Sequence, residues 1–176
     1  RGAATHHRYA SERFRVATLV VAGNDWVHLS IRNAQGTVLA ERRVRLLSDA
    51  RLELMDRSFT VPMQAIHLGQ KFYPRVTDPD QDVSDAQESV SVAVTAESGD
   101  RLTLSLQETL PHSGVFSATL EPAFVTKDEQ GTAVPPDTTD DVLQLQFGQS
   151  VSFTYTDPLS LTMEGASNVV ATGKVY

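Results

Sequence analysis

Cysteine does not occur in this chain of 176 residues, which removes disulfides, thiolate metal sites and a cysteine nucleophile together. Lysine is scarce: only three of the fifteen cations are lysine, and twenty-two acids outnumber them all, for a net charge of -7. A chain of that sign is repelled by a phosphate backbone, which argues against a nucleic-acid partner. Aromatic residues make up 7% of the chain, and no neighbouring rings join Trp26 to build a sugar-stacking face. Long apolar runs are missing as well. None approaches the roughly 18 residues that a membrane helix needs, so no membrane span is expected. The chain opens at Arg1 with neither Met nor an apolar leader and reads as a mature or excised fragment, its targeting signal lying upstream.

What is present is a repeat. Leu68-Gly69-Gln70, six residues, then Thr77-Asp78-Pro79, returns as Phe147-Gly148-Gln149, six residues, then Thr156-Asp157-Pro158, at an offset of 79. Phe72 falls in register with Val151, and Val76 with Tyr155. A period near 80 is the size of a small domain, and 40% hydrophobic residues are enough for a packed core. A weaker match, at an offset of 63, sets Val27-x-Leu29-x-Ile31 and its Gly36 turn beside Val90-x-Val92-x-Val94 and its Gly99 turn. The repeat phase divides the chain into a flexible or docking tail (1–13), the C-terminal part of one unit (14–58), a complete unit (59–138) and the N-terminal part of a third (139–176).

Alternation predicts strands throughout. Phe14, Val16, Thr18 and Val20 share one face, and Val27, Leu29 and Ile31 share another, turning at Asn33-Ala34-Gln35-Gly36 into Thr37-Val38-Leu39. Leu52 and Leu54 alternate with charged neighbours, which favours a strand over a short helix capped by Ser48. Val90, Val92 and Val94 pair through the Ser98-Gly99-Asp100 turn with Leu102, Leu104 and Leu106, predicting a hairpin with a matched apolar face. Val115 or Phe116 and the run Val151 to Tyr155 complete the predicted core. Residues 127–141, rich in Asp, Thr, Gly and Pro, read as a loop or an intermodule linker.

Few residues suggest chemistry. The run Asp78, Asp80, Asp82 and Asp85 offers alternating oxygen ligands of the kind that suit Ca²⁺. Val83, however, stands where an EF-type loop requires glycine, and the second copy keeps Asp157-Pro158 but loses the other acids. Asp78 and Asp157 therefore read as turn formers before proline. Glu108 is expected to accept backbone N–H groups of the Pro111 to Gly114 turn. His112 and Ser113, being adjacent, point apart and lack a nucleophile elbow. His6, His7, His28 and His67 show no metal spacing. Trp26 reads as a core or module-interface anchor. No catalytic residue is expected, the chain is read as no enzyme, and no cofactor beyond the candidate calcium is implied.

The segment Leu106-Gln107-Glu108-Thr109-Leu110-Pro111-His112-Ser113-Gly114-Val115-Phe116, following the Gly99-Asp100 turn, resembles a signature of Ig-like repeats in large bacterial cell-surface or secreted proteins. The Gly-Gln starts and Thr-Asp-Pro strand ends are similar to these repeats too, so the resemblance covers about residues 60–158. The chain departs from the pattern at Leu110-Pro111, a stiffer turn than the usual glycine. The resemblance implies an all-β fold of tandem Ig-like antiparallel β-sandwich modules, located outside the cell or on its surface. It implies a structural, spacer or adhesion role without catalysis, with neighbouring modules or further copies as partners and assembly into a filament or layer. The alternative is an accessory module of a secreted hydrolase that binds glycan or calcium.

Overall fold

Alternating apolar residues impose period-two strands, and in the computed structural model these strands dominate the described residues, 25–161 and 165–176. The expected tail at 1–13 and the strand face from Phe14 to Val20 lie outside them. Apart from one 3₁₀ turn at Pro79–Gln81, the described fold is all-β, with antiparallel pairing predominating. No helix among the described residues is long and apolar enough to cross a membrane.

Strands β1 (Trp26–Arg32) and β2 (Val38–Arg45) form an antiparallel hairpin of their own. Strands β3 (Arg51–Met55), β4 (Ala65–Ile66), β5 (Tyr73–Thr77), β6 (Ser89–Ala96), β7 (Arg101–Glu108) and β8 (Val115–Ser117) follow. They are succeeded by β9 (Ala123–Phe124), β10 (Gln144–Leu145), β11 (Ser150–Asp157) and β12 (Ser167–Val175). Eight strands share one sheet in the order β3-β5-β8-β7-β6-β11-β12-β4, and β9 and β10 form a short parallel pair.

The large sheet curls until β3, at one edge, packs against β12 near the other. Gly173 on β12 makes room for that approach: a Cβ there would lie 2.5 Å from Ile66 Cδ1 and 3.0 Å from Leu54 Cδ1. The enclosed core is one cluster. It takes Leu52 and Leu54, then residues from Ile66 to Leu120, then Leu143 to Val175, and centres on the edge-to-face pair Phe72 and Phe153 at 5.8 Å. Fully burying side chains of this size contributes about 1.5–3 kcal/mol each.

The period of two is visible strand by strand. Val90, Val92, Val94 and Ala96 are buried between exposed neighbours, and Val151, Phe153 and Tyr155 are buried on β11. Leu106 and Phe116 are buried as expected, whereas Leu102 and Leu104 are only half-buried. Both lie in the first half of β7, which extends past β8, since β8 pairs with β7 only at Gln107 and Glu108.

Segments 14–58, 59–138 and 139–176 meet in this sheet, because β3 pairs with β5 and β11 pairs with β6. The two copies of the 79-residue repeat therefore supply two strands, β5 and β11, to the same core. Residues 127–141 are a loop within it rather than a linker between modules. Ala123 N–H donates to Leu143 and Val125 N–H to Leu145, which ties both ends of the loop to the β9–β10 pair.

Candidate functional site

Buried carboxylates are costly unless hydrogen bonds replace their water. Among the described residues five are nearly sealed: Asp78, Asp80, Asp100, Glu108 and Asp157. Each accepts from the chain. Asp157 takes Leu159 N–H at 2.9 Å and, across the fold, Ala50 N–H at 2.9 Å. Asp80 accepts Ser48 N–H at 2.8 Å, and Asp100 accepts Arg101 N–H at 2.7 Å and Gln144 N–H at 2.6 Å. Asp78 accepts Asp80 N–H at 3.1 Å and the Tyr155 hydroxyl at 2.6 Å. Burial pushes the Asp78 carboxyl above its ordinary range; the Tyr155 hydroxyl works against this, and the nearby charges of Asp157 and Asp80 reinforce it. The Tyr155 hydroxyl is itself pushed up, by burial and by the same carboxylates.

Glu108 closes the β7–β8 turn as its sequence position implied. Its Oε1 accepts Ser113 N–H at 2.9 Å and Gly114 N–H at 2.8 Å, and its Oε2 faces Glu88 N–H at 3.4 Å. Burial raises this carboxyl, but the amides of Gly114, Glu88 and Ser113 together outweigh burial and hold it below the usual glutamate value. Gly114 then joins two turns: its carbonyl accepts Asp78 N–H at 2.8 Å, and a Cβ on it would meet Pro79 Cα at 2.7 Å. The Cβ clash restricts this position to glycine, and its φ of +59° favours glycine as well.

The four aspartates of the expected calcium loop do not converge. Asp78 and Asp80 turn inward to the partners just described. Asp82 and Asp85 turn toward His112, whose left-handed backbone (φ 63°) places Nδ1 3.2 Å from Asp82 and Nε2 3.4 Å from Asp85. Neither ring nitrogen is thus aimed at Ser113, whose hydroxyl lies 3.2 Å from Glu108. The carboxylates that do come together are Asp82, Glu88 and Glu108, with one oxygen of each within 4.8 Å of the others. Glu88 Oε2 is buried there without a hydrogen-bond partner. Glu88 lay outside the alternating run, and only the β6–β7 pairing brings it beside Glu108.

All of these groups except Asp100 gather at one end of the sheet, where β5 and β11 finish. The other end, where β11 begins, carries the β6–β7 turn, the β9–β10 pair and an exposed ring pair, Phe124 and Phe147, with centroids 5.6 Å apart. Trp26 lies outside the core and outside the large sheet. It is 62% exposed on β1, with the Arg45 guanidinium 6.0 Å from its ring centre, which corrects the expectation of a core anchor. An open depression lined by Arg57, Gln70, Lys71 and Tyr73 gathers no acid–base pair. No protein-family model matches this chain, and no curated protein matches it.

Proposed function

We propose that this chain is a non-catalytic, extracellular structural module, a spacer or adhesion unit of a bacterial surface protein, built as an Ig-like β-sandwich. One observation carries the reading: the deeply buried carboxylates hold backbone N–H groups from distant parts of the chain. Such staples resist unfolding and leave little buried acid for chemistry. Antibody labelling of intact cells of the producing organism tests the reading. Surface labelling is expected, and labelling seen only after permeabilisation would overturn it.

A second reading, a calcium-bearing accessory module, draws on the Asp82, Glu88 and Glu108 cluster and the unpartnered Glu88 Oε2. Hard carboxylate oxygens suit Ca²⁺, and a site with few protein ligands belongs in the range of extracellular modules, with Kd on the order of 10⁻⁴–10⁻³ M. Calorimetric titration with Ca²⁺ is expected to give heat that Glu88→Gln abolishes. Identical traces for both proteins would remove this reading.

A further inference from the structure

The β1–β2 hairpin contributes no residue to the core cluster. The side chains of its two strands are exposed except for Val27 and Arg45, which are half-buried. The register places Val27, Leu29 and Ile31 on one face with Val44, Arg42 and Ala40. Leu29 and Ile31 are 56% and 63% exposed. A two-stranded hairpin is marginal by itself, and one apolar face on it needs cover.

Charge indicates what kind of surface covers it. Residues 26–45 carry four arginines against one acid, with Arg42 on the apolar face and Arg32, Arg43 and Arg45 on the other, whereas residues 46–176 carry seven cations against nineteen acids. The hairpin is therefore a basic element attached to an acidic body. The acids at its own end of the sheet are largely taken: Asp78, Asp80 and Asp157 by hydrogen bonds, Asp82 by His112. At the far end, the loop leaving β9 two residues after Phe124 carries Asp128, Glu129, Asp137 and Asp141, all exposed, with Lys127 as its one cation. Exposed rings of Phe124 and Phe147 sit beside the anchors of that loop.

The two surfaces are anchored at opposite ends of the large sheet. The hairpin joins β3 near Ala50, which is bound to Asp157 at the end of β11, while Phe147 precedes the start of β11. Eight residues of strand separate them, about 25 Å at 3.3 Å per residue.

We infer that the β1–β2 hairpin, a basic element whose apolar face carries Arg42, docks by that face on the acidic Phe124–Phe147 end of a second copy of this chain, head to tail. Because the two surfaces differ, the contact is heterologous, and copies add in series instead of closing as a two-fold dimer. The inference rests on the proposed reading as an assembling module and adds which surfaces join.

Sedimentation velocity on the full chain tests it, at low and high salt, for the native protein and two surface variants. One variant, Leu29→Asp with Arg42→Glu, disables the hairpin; the other, Phe147→Ser with Asp141→Lys, disables the far end. Thermal melts first establish that both are folded. The native chain is expected to grow in mass with concentration and to dissociate as salt rises. Each variant alone is expected to lose association by more than about tenfold, since like charges now face each other. An equimolar mixture should stop at a dimer, because each variant keeps one intact surface. A native chain that stays monomeric overturns the inference, including the case in which residues 1–24 cover the hairpin. Association that survives in the far-end variant overturns it equally, since the contact is then hairpin to hairpin. Surface labelling of cells is independent of these outcomes, so the failure of one leaves the other standing.

Discussion

Two hairpins in this molecule are written in nearly the same pattern and end in opposite surroundings. Val27-x-Leu29-x-Ile31 turns through Gly36 at φ 85°, and Val90-x-Val92-x-Val94 turns through Gly99 at φ 94°. Both form antiparallel ladders of seven paired positions. Yet Val92 is fully buried and Leu29 is 56% exposed. The difference lies in what each hairpin is given to face. β6 pairs with β11 on its other side and so enters the curled sheet, whereas β1 and β2 pair only with each other among the described strands. The ends differ as well. β7 finishes on Glu108, sealed beneath its turn, and β2 finishes on Arg45 beside an exposed Trp26.

The contrast is broken most strongly by emptying the core on the β6–β11 side. Phe153→Ala removes one member of the buried ring pair and is expected to cost about 3–5 kcal/mol in urea unfolding. Glu108→Gln comes next. It leaves an amide at Ser113 or Gly114 without its charged acceptor, and a loss of roughly 1–3 kcal/mol at neutral pH is expected. The pH dependence identifies the cause. Because the folded carboxyl lies below the ordinary value of 4.5, its contribution is fully present above that pH and fades as pH falls through the depressed value. The native and Glu108→Gln stability curves should therefore converge in acid.

Asp78 has the opposite sign. Its folded carboxyl lies above the ordinary value of 3.8, so its favourable contribution is present below that pH and is lost as pH rises through the raised value. Asp78→Asn removes a charge that the site disfavours, and at pH 7 it is expected to change stability by no more than about 1 kcal/mol, one net hydrogen bond. A loss as large as that of Glu108→Gln would show that Tyr155 stabilises the ionised form more than burial opposes it. The smallest effect belongs to the outer hairpin. Leu29→Ala is expected to leave the unfolding free energy of the monomer within about 0.5 kcal/mol, as for an exposed site. A change above about 2 kcal/mol would mean that this face is covered within one chain and that the two hairpins do not differ.

Legibility in the sequence followed distance along the chain. The Glu108 staple was readable because its donors, Ser113 and Gly114, lie five and six residues on, within one turn. The loop-forming role of Asp157 was readable for the same reason, since Leu159 is two residues away. Its second partner, Ala50, is 107 residues distant, and the Tyr155 hydroxyl is 77 residues from Asp78. No local pattern announces such partners. The acidic run shows the limit well: its spacing implied one cluster, but Pro79 and the 3₁₀ turn send Asp78 and Asp80 into the core, and Asp82 toward Glu88 and Glu108.

By itself the sequence determined the strands, their turns and the faces on which apolar residues collect, because alternation and turn chemistry act over a few residues. It also determined that two copies of one 79-residue pattern exist. Only the tertiary structure decided that β5 and β11 share a core, which of two similar hairpins is buried, and which carboxylates meet. Burial and carboxylate pairing depend on chain closure over tens of residues, and a period of two specifies a face without specifying what will cover it.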